Sequence, residues 1–359
     1  MRDWENSAPP MVEDPPERPV AGKEAPAAKQ TLRVVAIGGG TGLSTLLRGL
    51  RRDVITAGET GAQGRIADLA AVVTVTDDGG SSGRLRKGFN MLPPGDLRNC
   101  MVALSEEEDL LAQLFNHRFR AGDALKGHNF GNLFVAALTE ITGDFALAVE
   151  LSSKILATRG RIYPATTANT TLVARMDDGS LVSGETNITA SRRRIVELMI
   201  DPPCPAPLPE TLEAIARADL ITVGPGSLYT SLITNLLVEG MPAALAQARG
   251  LRVFICNLMT QANESLGLTA SEHLQRIYDH THAPIFDCAL INTAPFSKET
   301  VARYAAEGAE PIAADIERLE ALGVRVIAGD FASEGSVVRH DAARVTSTLL
   351  EMGRTACRG

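Results

Sequence analysis

The sequence predicts an α/β fold built on a Rossmann-like, doubly wound and mostly parallel sheet. Three observations support this prediction: short apolar runs alternate with helical segments, glycine or polar turns follow the runs, and aromatic residues make up only 4% of the chain. Buried parallel strands have near-continuous apolar sequences, and tight strand-to-helix turns use glycine. The composition therefore suits a parallel α/β sheet better than a β-sandwich.

The strands and helices follow in a regular order. A first strand at 32–37 leads through glycines into a helix at 43–50. Further strands are predicted at 70–75, 220–223, 253–256, 285–291 and 324–328. Four helices form a helical block at 96–104, 107–119, 132–141 and 145–156, and another helix follows residue 226 and ends at 237.

A small antiparallel insertion is predicted near 161–200. Two β-type runs, at 170–175 and 180–185, flank the sequence Asp177-Asp-Gly-Ser180, which is typical of a hairpin turn. Five prolines between residues 202 and 209 then indicate an irregular return to the main sheet.

The domain prediction is one α/β domain with a tail at each end. Residues 1–30 carry six prolines among charged and small residues, so we expect a disordered tail that cannot bury enough apolar surface to fold. We expect the single domain to span 31–350 and a C-terminal tail to span 351–359. The length of 359 residues is ample for a sizeable core.

Charge and cysteine content exclude several functional classes. The chain has 35 basic and 43 acidic residues, a net charge of -8, which argues against nucleic acid or an anionic membrane as a partner. No apolar stretch approaches the roughly 18 residues needed to span a bilayer, and the N-terminus lacks a secretory signal. The five cysteines contain no C-x-x-C pair, so neither a disulfide framework nor a structural zinc site is predicted. We expect a cytoplasmic protein.

Four segments near strand ends are candidates for ligand binding, since parallel sheets bind ligands there. In the first, Gly39, Gly40, Thr41 and Gly42 follow the first strand and open a helix, which suits contact with a phosphate. The segment matches neither the dinucleotide fingerprint G-x-G-x-x-G nor the Walker pattern. A tight turn without a ligand is the alternative.

The second segment follows the second strand. Asp77 and Asp78 are candidate ligands of Mg²⁺ or of a ribose hydroxyl. Gly80 and the side chains beside it are candidates for gripping phosphate oxygens, through Ser81, Ser82 and Arg84. A turn held by local aspartate and serine hydrogen bonds is the alternative.

The third segment joins two stretches of the helical block. Asp96 and Asn129 are candidate helix N-caps, and capping is expected of one of them. His128 is a candidate proton donor or acceptor, although a hydrogen-bond anchor is the simpler role. The remaining candidate binding residues here are Arg98, Asn99, Lys126 and Asn132.

The fourth segment combines two later loops. Gly224, Gly226 and Ser227 open a helix and are a second candidate phosphate cradle. The neutral polar side chains after the next strand could read a base or a sugar: Asn257, Thr260 and Gln261. Two such anion sites in one sheet indicate a diphosphate-linked ligand. No sequence signature of a covalent nucleophile is present.

Taken together, these loops resemble those of the gluconeogenesis-factor (YvcK-like) family, a branch of the CofD-like superfamily whose other branch is 2-phospho-L-lactate transferase. The resemblance rests on seven motifs in order between about residues 33 and 345: IGGGTGLSTLLRGL, VTDDGGSSGRLR, PPGDLRN, LKGHNFGNL, GPGSLYTS, CNLMTQ and TASEHL. It implies a Rossmann-like fold and a cytoplasmic bacterial protein.

The resemblance also implies a function. Members of this branch bind UDP-sugars, notably UDP-N-acetylglucosamine, and couple central carbon metabolism to cell-wall precursor supply and cell shape. It implies no required cofactor, an early amino-sugar synthesis enzyme as partner, and a homo-oligomer. Arg303 matches a family ligand-contacting arginine, and Leu268 stands where the family has a ligand-contacting tyrosine.

Two other functions are weighed against this one. A Mg²⁺-dependent phospho-lactyl transferase of the second branch would use Asp77 and Asp78 to hold the metal and His128 or Lys126 to assist the leaving group. A nicotinamide-dependent oxidoreductase is disfavoured because G-x-G-x-x-G does not fit.

Overall fold

A parallel sheet runs through the centre of the computed structural model, which describes residues 31–55, 65–106, 110–191, 193–261 and 264–357. The strands are β1 (Leu32–Gly38), β2 (Ile66–Val73), β3 (Arg161–Pro164), β4 (Thr171–Met176), β5 (Leu181–Ser183), β6 (Ile195–Asp201), β7 (Leu220–Val223), β8 (Leu251–Ile255), β9 (Cys288–Asn292), β10 (Arg325–Gly329), β11 (Ala332–Ser333) and β12 (Arg339–His340). The tail predicted at 1–30 lies outside the described residues, and Thr31 onward forms a compact unit.

Helices connect the strands. They are α1 (Gly40–Leu50), α2 (Gly80–Phe89), α3 (Gly95–Leu104), α4 (Leu110–Asn116), α5 (Phe130–Thr142), α6 (Phe145–Ile155), α7 (Glu185–Ala190), α8 (Pro209–Arg217), α9 (Thr234–Leu236), α10 (Met241–Gln247), α11 (Ala270–Thr281), α12 (Lys298–Ala306), α13 (Ile316–Ala321) and α14 (Ala342–Ala356). A π-helix at Leu228–Ile233 precedes α9. No helix in the described ranges combines the length and apolar character needed to cross a membrane.

The main sheet has the strand order β10-β9-β8-β7-β1-β2-β3, and each neighbouring pair is parallel. The chain builds outward from β1 through β2 to β3, then crosses back and builds outward on the other side from β7. The strand order therefore reverses between β1 and β7, where Ile37 pairs with Val223. This arrangement confirms the predicted doubly wound fold.

Two large apolar clusters cover the two faces of the sheet. Alternate residues of β1 belong to opposite clusters: Val34 and Ala36 to one, Val35 and Ile37 to the other. A strand buried on both faces needs apolar side chains at every position, which is why β1 is continuously apolar from Val34 to Ile37. Its burial fixes the loop that follows at Gly39.

The antiparallel insertion is shorter than predicted at its start. Strands β5, β4 and β6 pair in that order as a separate antiparallel sheet. The stretch at 161–164 instead forms β3, the parallel edge strand beside β2. The alternating apolar residues of β4 and β6 belong to the second apolar cluster, which attaches the insertion to the main sheet.

Two boundary predictions are wrong. The helix predicted at 107–119 is described only as α4 and ends at Asn116, because the chain then turns and the Phe119 amide bonds the His128 carbonyl; its predicted start lies outside the described residues. The C-terminal tail predicted from 351 is helical to Ala356, because Met352 and Gly353 continue the buried face of α14 against the sheet.

Candidate functional site

A cleft of about 280 Å³ opens at the carboxyl ends of β1 and β7. The two strands lead into helices on opposite faces of the sheet, so their loops diverge and leave a crevice between them. A third wall comes from the hairpin β11–β12. The cleft brings together these predicted residues: Gly39, Gly40, Thr41, Gly42, Gly226, Ser227, Asn257, Thr260 and Gln261.

The two glycine loops touch each other. A Cβ atom on Gly42 would lie 2.4 Å from the Pro225 carbonyl oxygen and 3.1 Å from the Gly226 nitrogen. A Cβ atom on Gly39 would lie 2.8 Å from Asp96 Oδ2. At position 42 only glycine permits this approach of backbone to backbone, and at position 39 a larger residue would collide with the Asp96 side chain, so both glycines shape the floor of the cleft. Gly224, one residue before Pro225, does not line the cleft.

The amide of Asn257 holds the second glycine loop in place. Its Oδ1 accepts a hydrogen bond from the Gly226 amide at 3.2 Å, and its Nδ2 donates to the Gly226 carbonyl at 2.7 Å. Buried Thr260 accepts from the Glu310 amide at 2.9 Å through its hydroxyl. Exposed Gln261 donates to Ser227 Oγ at 3.0 Å. Asn257 thus holds the glycine loop, Thr260 holds the segment at Glu310, and Gln261 is the side chain of the three that faces solvent.

The charges around the cleft favour an anion. Arg339 is the only described lining residue with a permanent charge, and no carboxylate is among those residues. His340 Nε2 donates to the Cys256 carbonyl oxygen at 3.1 Å, so the ring carries a proton on Nε2. Burial lowers the pKa of His340 to about 4, so the ring is neutral at pH 7. The first turn of α1 adds a positive helix end.

A group of carboxylates lies directly behind the first glycine loop. Asp96 Oδ2 accepts a hydrogen bond from the Gly40 amide at 2.8 Å. Part of the Asp96 surface is accessible, yet the protein packed around its carboxyl desolvates it and raises its pKa to about 6. Glu185 reaches in from α7 to accept from Thr76 Oγ1 at 3.3 Å. Desolvation, and then the nearby Asp77 and Asp96, raise the pKa of Glu185 to about 9.

Each of the two aspartates predicted to hold Mg²⁺ accepts hydrogen bonds from nearby protein groups through Oδ1. Asp77 Oδ1 accepts from the Gly79 amide at 2.9 Å. Asp78 Oδ1 accepts from the amide and the hydroxyl of Thr186, at 2.8 and 2.6 Å. Within the described ranges, no three His, Cys, Asp or Glu side chains are grouped closely enough to hold a metal ion. The Asp78 contacts tie the loop after β2 to α7, and the Mg²⁺ role of the two aspartates stays a prediction.

The third segment forms a hydrogen-bond network beside these carboxylates. Ser81 Oγ lies 3.1 Å from His128 Nδ1 and accepts from the Asn129 amide at 3.3 Å. Desolvation lowers the pKa of His128, and the positive charges of Arg84 and Arg118 lower it further. In this geometry His128 anchors the Ser81 hydroxyl, and Arg84 is exposed to solvent.

Buried Arg98 lies at the centre of a group of asparagine side chains. Its guanidinium donates to three amide oxygens, on Asn132, Asn116 and Asn99, at 3.0, 2.8 and 2.7 Å. Burial lowers the pKa of Arg98 to about 10, which leaves it charged beside Asp96. Asn99 and Asn132 each accept from Arg98 through Oδ1, and Lys126 is exposed at the surface, so the ligand roles of these residues stay predictions.

Of the two candidate N-caps, Asn129 caps a helix and Asp96 does not. Asn129 Oδ1 accepts from the Asn132 amide at 3.2 Å at the start of α5. Helix α3 begins at Gly95, so Asp96 lies inside its first turn and bonds across to Gly40 instead.

Replacing Asn129 by alanine is expected to lower the free energy of unfolding by about 1 kcal/mol, because the first turn of α5 loses its side-chain acceptor. Urea denaturation measures the change. Asn129→Ser is the matched control, since a serine hydroxyl can accept the same bond and should recover most of the loss. Equal losses in the two variants would contradict a capping role.

Two residues named from the family resemblance lie away from the lining. Arg303 donates from Nη2 to the Gly335 carbonyl at 2.9 Å and so supports the hairpin. Leu268 is half-buried and packs against the second apolar cluster. The sequence reasoning missed Tyr304 and Arg339, which do line the cleft. The only signal for Arg339 was its place before the N-cap of α14, and a two-residue strand is too short to recognise from sequence.

The comparisons with known proteins extend over the same region. Residues 34–332 match the family described as 2-phospho-L-lactate transferase CofD. The chain is 48% identical to a gluconeogenesis factor of Halalkalibacterium halodurans, over 89% of this chain and 95% of that protein. It is 44% identical to the gluconeogenesis factor of Bacillus subtilis, over 90% of this chain and 98% of that protein.

A solved structure supports the fold. The crystal structure of a UPF0052 family member from Bacillus halodurans superposes with a TM-score of 0.84 at 47% identity. The superposition covers 89% of this chain and 99% of that one. The predicted family and the predicted fold are therefore both confirmed.

Proposed function

The chain belongs to the 2-phospho-L-lactate transferase CofD family, together with the proteins named gluconeogenesis factor, and we propose that it is a regulator that binds UDP-N-acetylglucosamine. One observation carries the proposal: the cleft at the switch point combines glycine loops, a helix N-terminus and Arg339, and no carboxylate is among its described lining residues. This combination suits a diphosphate, because backbone amides and a guanidinium both donate to phosphate oxygens.

The diphosphate would lie over the first turn of α1. Asp96 already accepts from the Gly40 amide, which leaves the amides of Thr41 and Gly42 to face the anion. Arg339 would neutralise charge from the hairpin side. The exposed amide of Gln261, oriented by Ser227, is placed to bond hydroxyl or acetamido groups of the sugar.

The regulatory part of the proposal draws on the relatives' names and on the absence of a nucleophile signature in the sequence. Ligand binding would change a surface seen by an early amino-sugar synthesis enzyme, and so link central carbon metabolism to cell-wall precursor supply and cell shape. In this proposal the protein acts in the cytoplasm as a homo-oligomer, and binding requires no cofactor.

Calorimetric titration of the full chain with UDP-N-acetylglucosamine tests the proposal. We expect saturable heat and a higher melting temperature, since a ligand that binds only the folded state stabilises it. GDP-mannose and NAD serve as comparison ligands. No heat and no thermal shift at millimolar UDP-N-acetylglucosamine would rule the proposal out.

Replacing Arg339 by glutamine is expected to weaken binding of UDP-N-acetylglucosamine by about 10- to 100-fold, because a charged hydrogen bond to phosphate is worth about 1.5–3 kcal/mol. The affinity of the variant should also depend less on salt than that of the unmodified protein. Titration at two salt concentrations measures both effects.

Arg344→Gln is the matched control for this prediction. Arg344 follows the same hairpin but pairs with Asp330 and Asp341 and does not line the cleft. We expect the control to bind like the unmodified protein. If both substitutions weaken binding equally, the effect comes from general loss of positive charge and not from Arg339.

A second candidate, group transfer of the 2-phospho-L-lactate transferase kind, is favoured by the Asp96 carboxyl. Its pKa of about 6 lies near neutrality, and it contacts the glycine loop through Gly40. Displaced pKa values of this kind occur at catalytic sites. Incubation with a deazaflavin acceptor and a nucleotide-activated phospho-lactate, with Mg²⁺, tests it: product supports transfer, and its absence excludes that donor and acceptor pair.

A further inference from the structure

The wall of the cleft opposite the glycine loops is apolar. Leu258, Met259 and Val338 are buried together in a small cluster, separate from the two clusters that cover the sheet. Tyr304 packs against this cluster and also lines the cleft, as do its three buried members. The cleft therefore has a polar side made of glycine backbone and an apolar side with an aromatic ring.

An anion alone gives no reason for such a wall. Phosphate oxygens gain nothing from apolar side chains, and the loops with Arg339 already provide donors. Apolar surface beside a phosphate site indicates that the ligand carries an uncharged flat group next to its phosphates. A nucleobase is such a group, and stacking of one base on an aromatic side chain is worth about 1–3 kcal/mol.

Tyr304 is held in position from two directions. Its hydroxyl accepts a hydrogen bond from the Val338 amide at 2.9 Å, which links α12 to the hairpin. The Arg303 guanidinium carbon lies 5.6 Å from the centre of the Tyr304 ring. Glu334 bonds the Ser297 amide at 3.0 Å, which fixes the same hairpin to the start of α12. A ring held by these contacts loses little conformational freedom when a ligand stacks on it.

We propose that Tyr304 is the base-stacking residue of this cleft and that its wall, with Val337 on the hairpin, selects nucleoside diphosphates over other diphosphates. Among the described lining residues, Tyr304 is the only Phe, Tyr or Trp. This role rests on the proposed nucleotide-sugar function and adds the identity of the residue that contacts the base. Position 268, half-buried under the second apolar cluster, takes no part in stacking.

The test compares the binding of ligands that carry the base with that of phosphate ligands that lack it. Tyr304→Leu, Tyr304→Phe and the unmodified protein are titrated with UDP-N-acetylglucosamine, UDP, N-acetylglucosamine 1-phosphate and inorganic pyrophosphate. We expect Tyr304→Leu to lower the affinity for UDP and UDP-N-acetylglucosamine by 10- to 100-fold. The affinity for pyrophosphate should fall by less than twofold. Tyr304→Phe keeps the ring and should stay within threefold of the unmodified protein.

Val337→Ser is the second variant and keeps the test decisive if Tyr304→Leu does not fold. Val337 lines the cleft with 52% of its surface exposed, so the substitution leaves the core intact. We expect this substitution to lower the affinity for UDP by about threefold and to leave the affinity for pyrophosphate unchanged. Circular dichroism and thermal unfolding check each variant.

The outcomes distinguish a failure of the base-stacking role of Tyr304 from a failure of the proposed nucleotide-sugar binding. If the unmodified protein binds no nucleotide, the proposed function fails. If the unmodified protein binds UDP and Tyr304→Leu binds it equally well, the base-stacking role is wrong. The role is also wrong if Tyr304→Leu lowers the affinity for pyrophosphate as much as the affinity for UDP. The role is also wrong if Tyr304→Leu weakens N-acetylglucosamine 1-phosphate but not UDP, because the ring would then read the sugar.

Discussion

Gly42→Ala is expected to abolish nucleotide-sugar binding and to lower the free energy of unfolding by about 3 kcal/mol. The added Cβ would lie 2.4 Å from the Pro225 carbonyl oxygen and 2.8 Å from its carbon. Both are backbone atoms, so no side chain can rotate away, and one loop must move from the other. Overpacking of this kind costs about 1–3 kcal/mol, and displacing the loop that cradles phosphate removes the binding site.

Gly38→Ala is the matched control, four residues earlier in the same loop region. A Cβ atom there would have Leu43 Cβ at 3.5 Å as its nearest neighbour, an ordinary van der Waals distance. We expect this variant to bind normally and to stay within about 0.5 kcal/mol in stability. Urea denaturation and calorimetry measure both variants. Normal binding by Gly42→Ala would show that close contact of the two loops does not shape the site.

The fold was predictable because its signals are local. Continuous apolar runs such as 34–37 identify buried parallel strands without knowledge of their neighbours. The boundaries that failed depend on contacts distant in sequence. Helix α14 continues past residue 351 because its last turns pack on the sheet, and 161–164 joins the main sheet because β2 offers an open edge. Neither condition is visible in the segment itself.

The site was predictable in its backbone and less so in its side chains. Glycine loops at strand ends must meet at the switch point of such a sheet, and Gly39 and Gly226 do. The partners of a polar side chain are set by the tertiary fold, so the sequence could not show that Asn257 serves Gly226 or that three asparagines surround Arg98. Arg339 was missed for the same reason.

The carboxylates behind the cleft lead to a prediction about pH. The pKa of Glu185 is raised to about 9 in the folded protein by desolvation and then by neighbouring acids, above an ordinary value of 4.5. A raised carboxyl pKa favours the folded state fully at low pH, and that contribution is lost between about pH 4.5 and 9. The raised pKa of Asp96, about 6, acts in the same direction between about pH 4 and 6.

Glu185→Gln is therefore expected to stabilise the protein at pH 7–8 by about 2 kcal/mol, allowing for the accessible part of the side chain. That corresponds to a melting temperature about 3 °C higher for a chain of this size. The amide oxygen of glutamine can still accept from Thr76 Oγ1. The variant should also lose stability less steeply than the unmodified protein as pH rises from 5 to 9.

Glu213→Gln provides the control, since Glu213 is an exposed residue paired with Arg217 on α8. Surface pairs of this kind are worth about 0–1 kcal/mol, so its melting curve should follow that of the unmodified protein at each pH. A Glu185→Gln variant with the same pH dependence as the unmodified protein would mean that Glu185 stays ionised at little cost. The flatter curve that we expect would instead show that docking of α7 on the loop after β2 depends on a protonated carboxyl beside Asp77 and Asp96.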